Sequence, residues 1–174
     1  MISFELLRLY FGAKIEVREV ASSPWRVVYD GLRVGKAECD HFFDLSRRQL
    51  TGMCDDNDQR VLCTVTNSLI IITAWNPRGK EGQSAENAAA SRALHSDLIS
   101  AGFVDGESLF EARGLDTTPG SQYHEVGFAL PHADRDFVVG LANKYDQLAI
   151  YEIKGRQLLV IDCDDGRIYQ APTR

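Results

Sequence analysis

The chain has no apolar run near the ~20 residues that a bilayer-crossing helix needs. Its longest such run, residues 69–75, is of strand length, so a helical membrane protein is not expected. It has only 4 cysteines in 174 residues. Cys39, Cys54, Cys63 and Cys163 fall at no regular spacing, which argues against a disulfide framework and for reduced thiols. Its 5 prolines and 14 glycines gather into no linker, and no segment repeats. There is no phosphate-cradling P-loop and no G-x-S-x-G elbow, and Gly12, Gly31 and Gly35 do not form a dinucleotide fingerprint. Excess positive charge is missing too: a formal charge of −6 argues against general affinity for nucleic acid or an anionic membrane. The opening Met1-Ile2-Ser3-Phe4-Glu5 lacks the basic-then-apolar order of a secretory signal. Together these absences lead to the expectation of a cytoplasmic protein.

What is present is an ordinary globular composition, 44% hydrophobic and 25% charged, on a chain of single-domain length. Phe4, Leu7, Tyr10 and Phe11 at helical spacing predict a first helix stopped by Gly12, followed by a half-buried strand with Ile15 and Val17 inward. Asp30-Gly31 is a hairpin signal between residues 25–29 and 32–34. Phe42, Phe43, Leu45 and Leu50 indicate a helical segment before the polar loop 54–58, and residues 60–65 read as a strand turning at Thr66-Asn67. Leu69-Ile70-Ile71-Ile72 predicts a central strand covered on both faces, ended by Pro77. Ser84 is placed as the cap of a helix that buries Leu94, Leu98 and Ile99 and closes at Gly102. Residues 114–121 read as a loop and 123–130 as a strand. Residues 133–145 read as a helix with Phe137, Val138, Leu141, Ala142 and Tyr145 inward. Residues 147–153, 157–162 and 167–170 finish as a meander turning at Lys154-Gly155 and Asp165-Gly166. The fold class is α+β: one domain, a mixed but mainly antiparallel sheet, and two or three packed helices.

Candidate chemistry centres on the strand exit Trp75-Asn76-Pro77-Arg78-Gly79 and the helix that follows. A buried strand delivers polar groups at its end, and a helix N-terminus beside them offers free N–H groups to an anion. Arg78 can add a bidentate fork and Asn76 can orient a ligand. On spacing alone the commoner explanation is structural, a turn with a solvated Arg78 and a capped helix. Glu125 stands in the otherwise apolar strand 126–130, where a partly buried carboxylate suits general acid or base work; the structural alternative is an ion pair with Arg78 or Arg113. His124 adjoins Glu125 but faces the opposite way on a strand, and His95 is expected at the surface. Cys39, His41, Cys54 and Cys63 lack paired metal-ligand spacing. Asp162, Asp164 and Asp165 before Gly166 lack the closing glutamate of a calcium loop. No metal site is therefore assigned, and no cofactor is indicated.

The run T-A-W-N-P-R, then E-N, E-x-G-F and Q-x-A-I-Y, resembles a bacterial family of unknown function. The pattern of that family is T-A-[WY]-N-P, E-N, an E-x-S-F-like strand and a G-Q-x-A close. The likeness spans residues 69 to about 160 through Thr73, Trp75, Asn76, Pro77, Glu86, Asn87, Glu125, Phe128 and Gln147. It departs at Gly127, where serine is expected, and at Asp146, where glycine is expected. The resemblance implies a shared fold and site, with no assigned reaction.

These readings lead to two expectations. One is a small-ligand domain, as an enzyme on a nucleotide or other anionic metabolite, with Glu125 or Glu86 moving a proton. In it Arg78 and the helix start hold the anion, while Asn76, Asn87 and Gln147 bind and orient it. The other is a protein-binding or inhibitory module, such as a phage or mobile-element factor acting on a host protein through residues 39–58. The sequence leaves the oligomeric state open.

Overall fold

The computed structural model describes residues 2–30, 68–154 and 157–171. The expected hairpin at Gly31, the segments between residues 32 and 67 with Cys39, His41, Cys54 and Cys63, and the turn at Gly155 lie outside them.

The first helix, α1 (Phe4–Gly12), starts where the Ser3 side chain accepts from the Leu6 N–H at 3.2 Å, satisfying one of the end's orphan donors. Strands β1 (Lys14–Arg18) and β2 (Arg26–Asp30) follow, then β3 (Leu69–Thr73). A single 3₁₀ turn, Pro77–Gly79, leads to α2 (Ser84–Ser100). Next come β4 (Phe110–Leu115), β5 (His124–Pro131), α3 (Arg135–Lys144), β6 (Ala149–Lys154), β7 (Gln157–Asp162) and β8 (Ile168–Gln170).

The strands form one eight-stranded sheet in the order β2-β1-β4-β5-β3-β6-β7-β8. Every pairing between these strands is antiparallel, and the one parallel contact among the described residues is an isolated bridge between Asp105 and Leu109 outside the sheet's strands. β3 sits in the interior, between β5 and β6, with Leu69, Ile70 and Ile72 fully buried and Ile71 nearly so. Its unbroken apolar run follows from having both faces covered. Ile70 and Ile72 join Leu94 and Leu98 of α2 and Val138 and Ala142 of α3 in one core. Leu69 and Ile71 point the other way, into a core with Ile15, Val17, Phe110 and Ala129, against which Phe11 of α1 packs.

Several expectations are corrected. β4 was read as chain of no assigned structure running into a loop; it is an interior strand between β1 and β5, and Gly114 lies in it opposite Glu125. Its polar alternates, Glu111 and Arg113, hide it, because they pair with Arg18 and Glu16 of β1. Ser84 is not the cap of α2: Gln83 holds that position and makes no side-chain capping bond. Ile99 and Phe137 are exposed rather than inward, at 41% each. α3 is capped by Asp134, whose carboxylate accepts from the Phe137 N–H at 2.8 Å. The end of α2 follows expectation: Gly102, at φ +96°, lets the N–H of Phe103 reach the carbonyl of Leu98 and its own N–H that of Ile99, a Schellman closure. Among the described residues no helix is long and apolar enough to cross a membrane.

Candidate functional site

Antiparallel pairing with a two-residue period decides which side chains share a face. Ile15 pairs with Gly114, Gly114 with Glu125, Ala112 with Gly127 and Gly127 with Thr73. One face of the sheet therefore has an unusually small floor of Gly114, Ala112 and Gly127. Above it lies a cavity of about 500 Å³, walled by Leu6, Leu9 and Tyr10 of α1 and by Leu148 and Tyr151 on the β6 side. At Gly114 an added Cβ would meet no atom within 4 Å, so the missing side chain is part of the open space. Gly127 is different. Its Cβ would fall 2.3 Å from the Ile72 carbonyl oxygen, so glycine there permits close approach of β5 to β3. The serine that the sequence resemblance leads one to expect at this position would not fit this backbone geometry.

The polar end of the cavity is built on Asn76. This residue is 4% exposed and holds a left-handed backbone at φ +50°, a conformation asparagine tolerates better than most residues. Its Nδ2 donates to Glu125 Oε1 at 2.9 Å and to Tyr123 Oη at 2.6 Å. Its Oδ1 accepts from the Gly82 N–H at 3.0 Å and from Asn87 Nδ2 at 2.9 Å. Asn87 Oδ1 in turn accepts from the Asn76 N–H at 3.0 Å. An asparagine amide has two donors and two acceptor lone pairs, and all four are used. Asn76 thus positions Glu125 and Tyr123 and has nothing left for a ligand. Asn87, buried on the first turn of α2, clamps the strand exit to the helix.

Tyr123 Oη also donates to Glu125 Oε1, at 2.5 Å. Both donors to Glu125 converge on Oε1, leaving Oε2 without a hydrogen-bond partner among the described residues. Gln147, 6% exposed, lines the same cavity. Its Nε2 donates to the carbonyls of Trp75 and Tyr145 at 3.1 and 3.2 Å. Those two carbonyls fix the amide orientation, since a flip would set oxygen against oxygen, and Oε1 remains unpartnered among the described residues. Burial, and after it the Glu125 charge, holds the Tyr10 phenol well above its usual range. Burial, and then the hydrogen bond to Glu125, does the same for Tyr123. Both phenols therefore stay neutral donors.

The remaining predicted residues stand elsewhere. The Arg78 guanidinium grips Asp164, with Nη1 at 2.8 and 2.9 Å from its two oxygens, and its Nε lies 3.8 Å from Asp146. It does not line the cavity, so the expected fork toward an anion is not formed there. Glu86 is exposed on the outer side of the α2 start and is likewise absent from the lining. Arg113 lines the cavity but pairs with Glu16, not Glu125, and its guanidinium lies 4.3 Å from the Trp25 ring centre. His124 packs toward Trp75 at 5.8 Å between ring centres. Asp162 serves backbone, accepting from the N–H of Asp164 beside it and from that of Ile2 at the start of the chain. Asp146, where the sequence resemblance leads one to expect glycine, holds a left-handed φ of +52°. Its carbonyl accepts from the Arg78 N–H at 2.8 Å, tying the turn before Gln147 to the strand exit.

Tyr10, Tyr123, Tyr151 and Gly114 were not singled out as site residues by the sequence. Tyr123 stands two residues before Glu125, the spacing that shares a strand face, and that signal could have found it. The tyrosines of α1 and β6 carry no local signal, because their meeting is tertiary.

These features define an α+β chain whose antiparallel sheet holds a polar-ended cavity under its first helix. Residues 72–150 match the model of DUF3293, a family described as a protein of unknown function. No curated protein and no solved structure matches the chain. The matched stretch contains Asn76, Asn87, Glu125 and Gln147, whereas the α1 wall of the cavity lies outside it.

Proposed function

We propose that the chain binds a small molecule in the cavity beneath α1, with Glu125 as the group that meets the ligand's polar end. One observation carries this reading: two acceptors, Glu125 Oε2 and Gln147 Oε1, have no protein partner among the described residues and belong to side chains that line a cavity of about 500 Å³. A few convergent polar groups on an otherwise apolar concave wall are the usual make-up of a small-molecule site. The volume is within the range of small-molecule sites.

Glu125 is also the candidate for proton transfer. Its Oε1 is held by Asn76 and Tyr123, which fixes the carboxylate plane, and Oε2 is the atom able to take or return a proton at a bound ligand. Arg78 and Glu86 have no part in this proposal, because neither lines the cavity.

The test is a thermal-shift screen of a broad metabolite library against the wild type and Gly114→Leu. Ligands that prefer the folded state raise its midpoint, and a leucine at position 114 fills open space rather than displacing atoms. Hits that stabilise the wild type and lose their effect in Gly114→Leu support the cavity. Hits that stabilise both equally refute it. Turnover of a hit that is lost in Glu125→Gln even at saturating ligand, beyond what weaker binding accounts for, would establish the proton-transfer role.

A further inference from the structure

The charge around the cavity departs from the anionic ligand expected of a helix N-terminus. Glu81, Asp116 and Glu125 line it, against a single guanidinium, Arg113. That guanidinium is already committed: its Nε donates to Glu16 Oε2 at 2.7 Å, and Lys14 closes on the other oxygen of Glu16 at 2.7 Å. Of the two cations at the strand exit, Arg78 is turned outward onto Asp164 and Lys80 is absent from the lining. An anion entering the cavity would meet unbalanced negative charge with no free donor of positive sign among the described lining residues.

The second, independent observation is Gln147. It is more than nine-tenths buried, lines the cavity, and spends both amide hydrogens on backbone carbonyls. Its available atom is therefore an acceptor, as is Glu125 Oε2. The walls add aromatic faces: Tyr10 and Tyr151 meet edge to face at 5.6 Å between ring centres, and Tyr123 completes the group. Aromatic faces attract cations through the ring quadrupole, while Leu6, Leu9 and Leu148 offer only apolar contact.

From this we infer that the cavity takes an organic cation: an apolar body carrying an ammonium or amidinium group whose N–H donors reach Glu125 and Gln147. The inference rests on the cavity being a ligand site, as proposed above. It commits to the charge and hydrogen-bonding class of the ligand. Donors on the ligand complement two acceptors and a negative surround, and the body complements the leucines.

The experiment uses matched probes on the full chain: phenylbutylamine, phenylbutanol and phenylbutanoate, and the same three head groups on cyclohexyl and indole bodies. Binding is read by calorimetric titration and by amide shift changes at Ala112, Gly114 and Gly127. The ammonium member of at least one body should bind about tenfold or more tighter than its alcohol, with the carboxylate weakest. Glu125→Gln should erase about 10- to 100-fold of the ammonium's affinity, the worth of a charge-assisted hydrogen bond, and leave the alcohol's nearly unchanged. If the alcohol or carboxylate binds as tightly as the ammonium, and Gly114→Leu abolishes that binding, the ligand class is wrong while the cavity reading stands. If none of the probes binds, or binding survives Gly114→Leu, the cavity reading fails and takes this inference with it.

Discussion

Replacing Asn76 by alanine tests the clamp from which the whole site is hung. The substitution removes two acceptor positions and two donors at a residue only 4% exposed. Asn87 Nδ2 would be left buried without its partner, at about 1–3 kcal/mol for an unsatisfied group. The bonds to Tyr123, Glu125 and Gly82 lie nearer solvent and are worth about 0.5–1.5 kcal/mol each at most. Alanine must also hold φ near +50°, for roughly 1 kcal/mol. A total loss of about 3.5–8.5 kcal/mol is expected, a large share of the ~5–15 kcal/mol that usually holds a domain together. Asn76→Gly loses the same hydrogen bonds but relieves the backbone, so it should recover about 0.5–1 kcal/mol relative to alanine. Both side-chain groups of Asn87 bond to Asn76, so Asn76→Ala and Asn87→Ala should be strongly non-additive. The expected coupling is about 1–2 kcal/mol. Urea unfolding of the two single variants and the double variant, with unchanged denaturant slopes, measures it. Additivity within about 0.3 kcal/mol, or an Asn76→Ala loss below about 1 kcal/mol, would refute the clamp.

Three further outcomes are expected. Gly127→Ala should destabilise by about 2–4 kcal/mol in the same assay, because its Cβ would press on strand backbone that has no room to yield; a neutral effect would show that β3 and β5 can separate here. Burial alone would raise the Glu16 carboxyl, but its bonds to Lys14 and Arg113 outweigh that and hold it below the usual glutamate range. Its contribution is therefore fully present above the unfolded value near about 4.3 and is lost as pH falls through the lower folded value. Glu16→Gln should accordingly flatten the acid limb of stability against pH, and an unchanged limb would count against the assignment. Burial, then the charges of Asp162 and Asp164, pushes the Cys163 thiol up to about 12, so mass spectrometry should find it unalkylated at pH 8 in the folded chain and labelled once denatured. Labelling at equal rates in both states would contradict its burial.

The central strand, the three helices found among the described residues and the closing meander were legible because each is written locally. Leu69–Thr73 is apolar without interruption, α3 repeats its buried positions at helical spacing, and β6, β7 and β8 are adjacent hairpin partners whose order needs no distant information. β4 was illegible for the converse reason: its exposed-looking Glu111 and Arg113 are neutralised across the sheet by Arg18 and Glu16. A residue's partner on a strand far away in the chain leaves no mark in its own sequence surroundings.

At the site the division is the same. The strand exit and the helix after it pointed to Asn76 and Asn87, an apolar strand to Glu125 and the family resemblance to Gln147, but which of their atoms remain free was not readable from their types. Hydrogen-bond accounting needs coordinates: Asn76 is saturated by four partners drawn from two stretches of the chain, Gly82 with Asn87 and Tyr123 with Glu125, whereas Glu125 and Gln147 each keep one acceptor. Arg78 looked like an anion ligand until the fold placed Asp164, 86 residues away in the chain, within its reach. The cavity itself is decided by what two strands lack on one face, at Gly114 and Ala112 of β4 and Gly127 of β5, and by α1 lying across them. Empty space has no sequence motif, because it is made by side chains meeting, or failing to meet, across the tertiary fold.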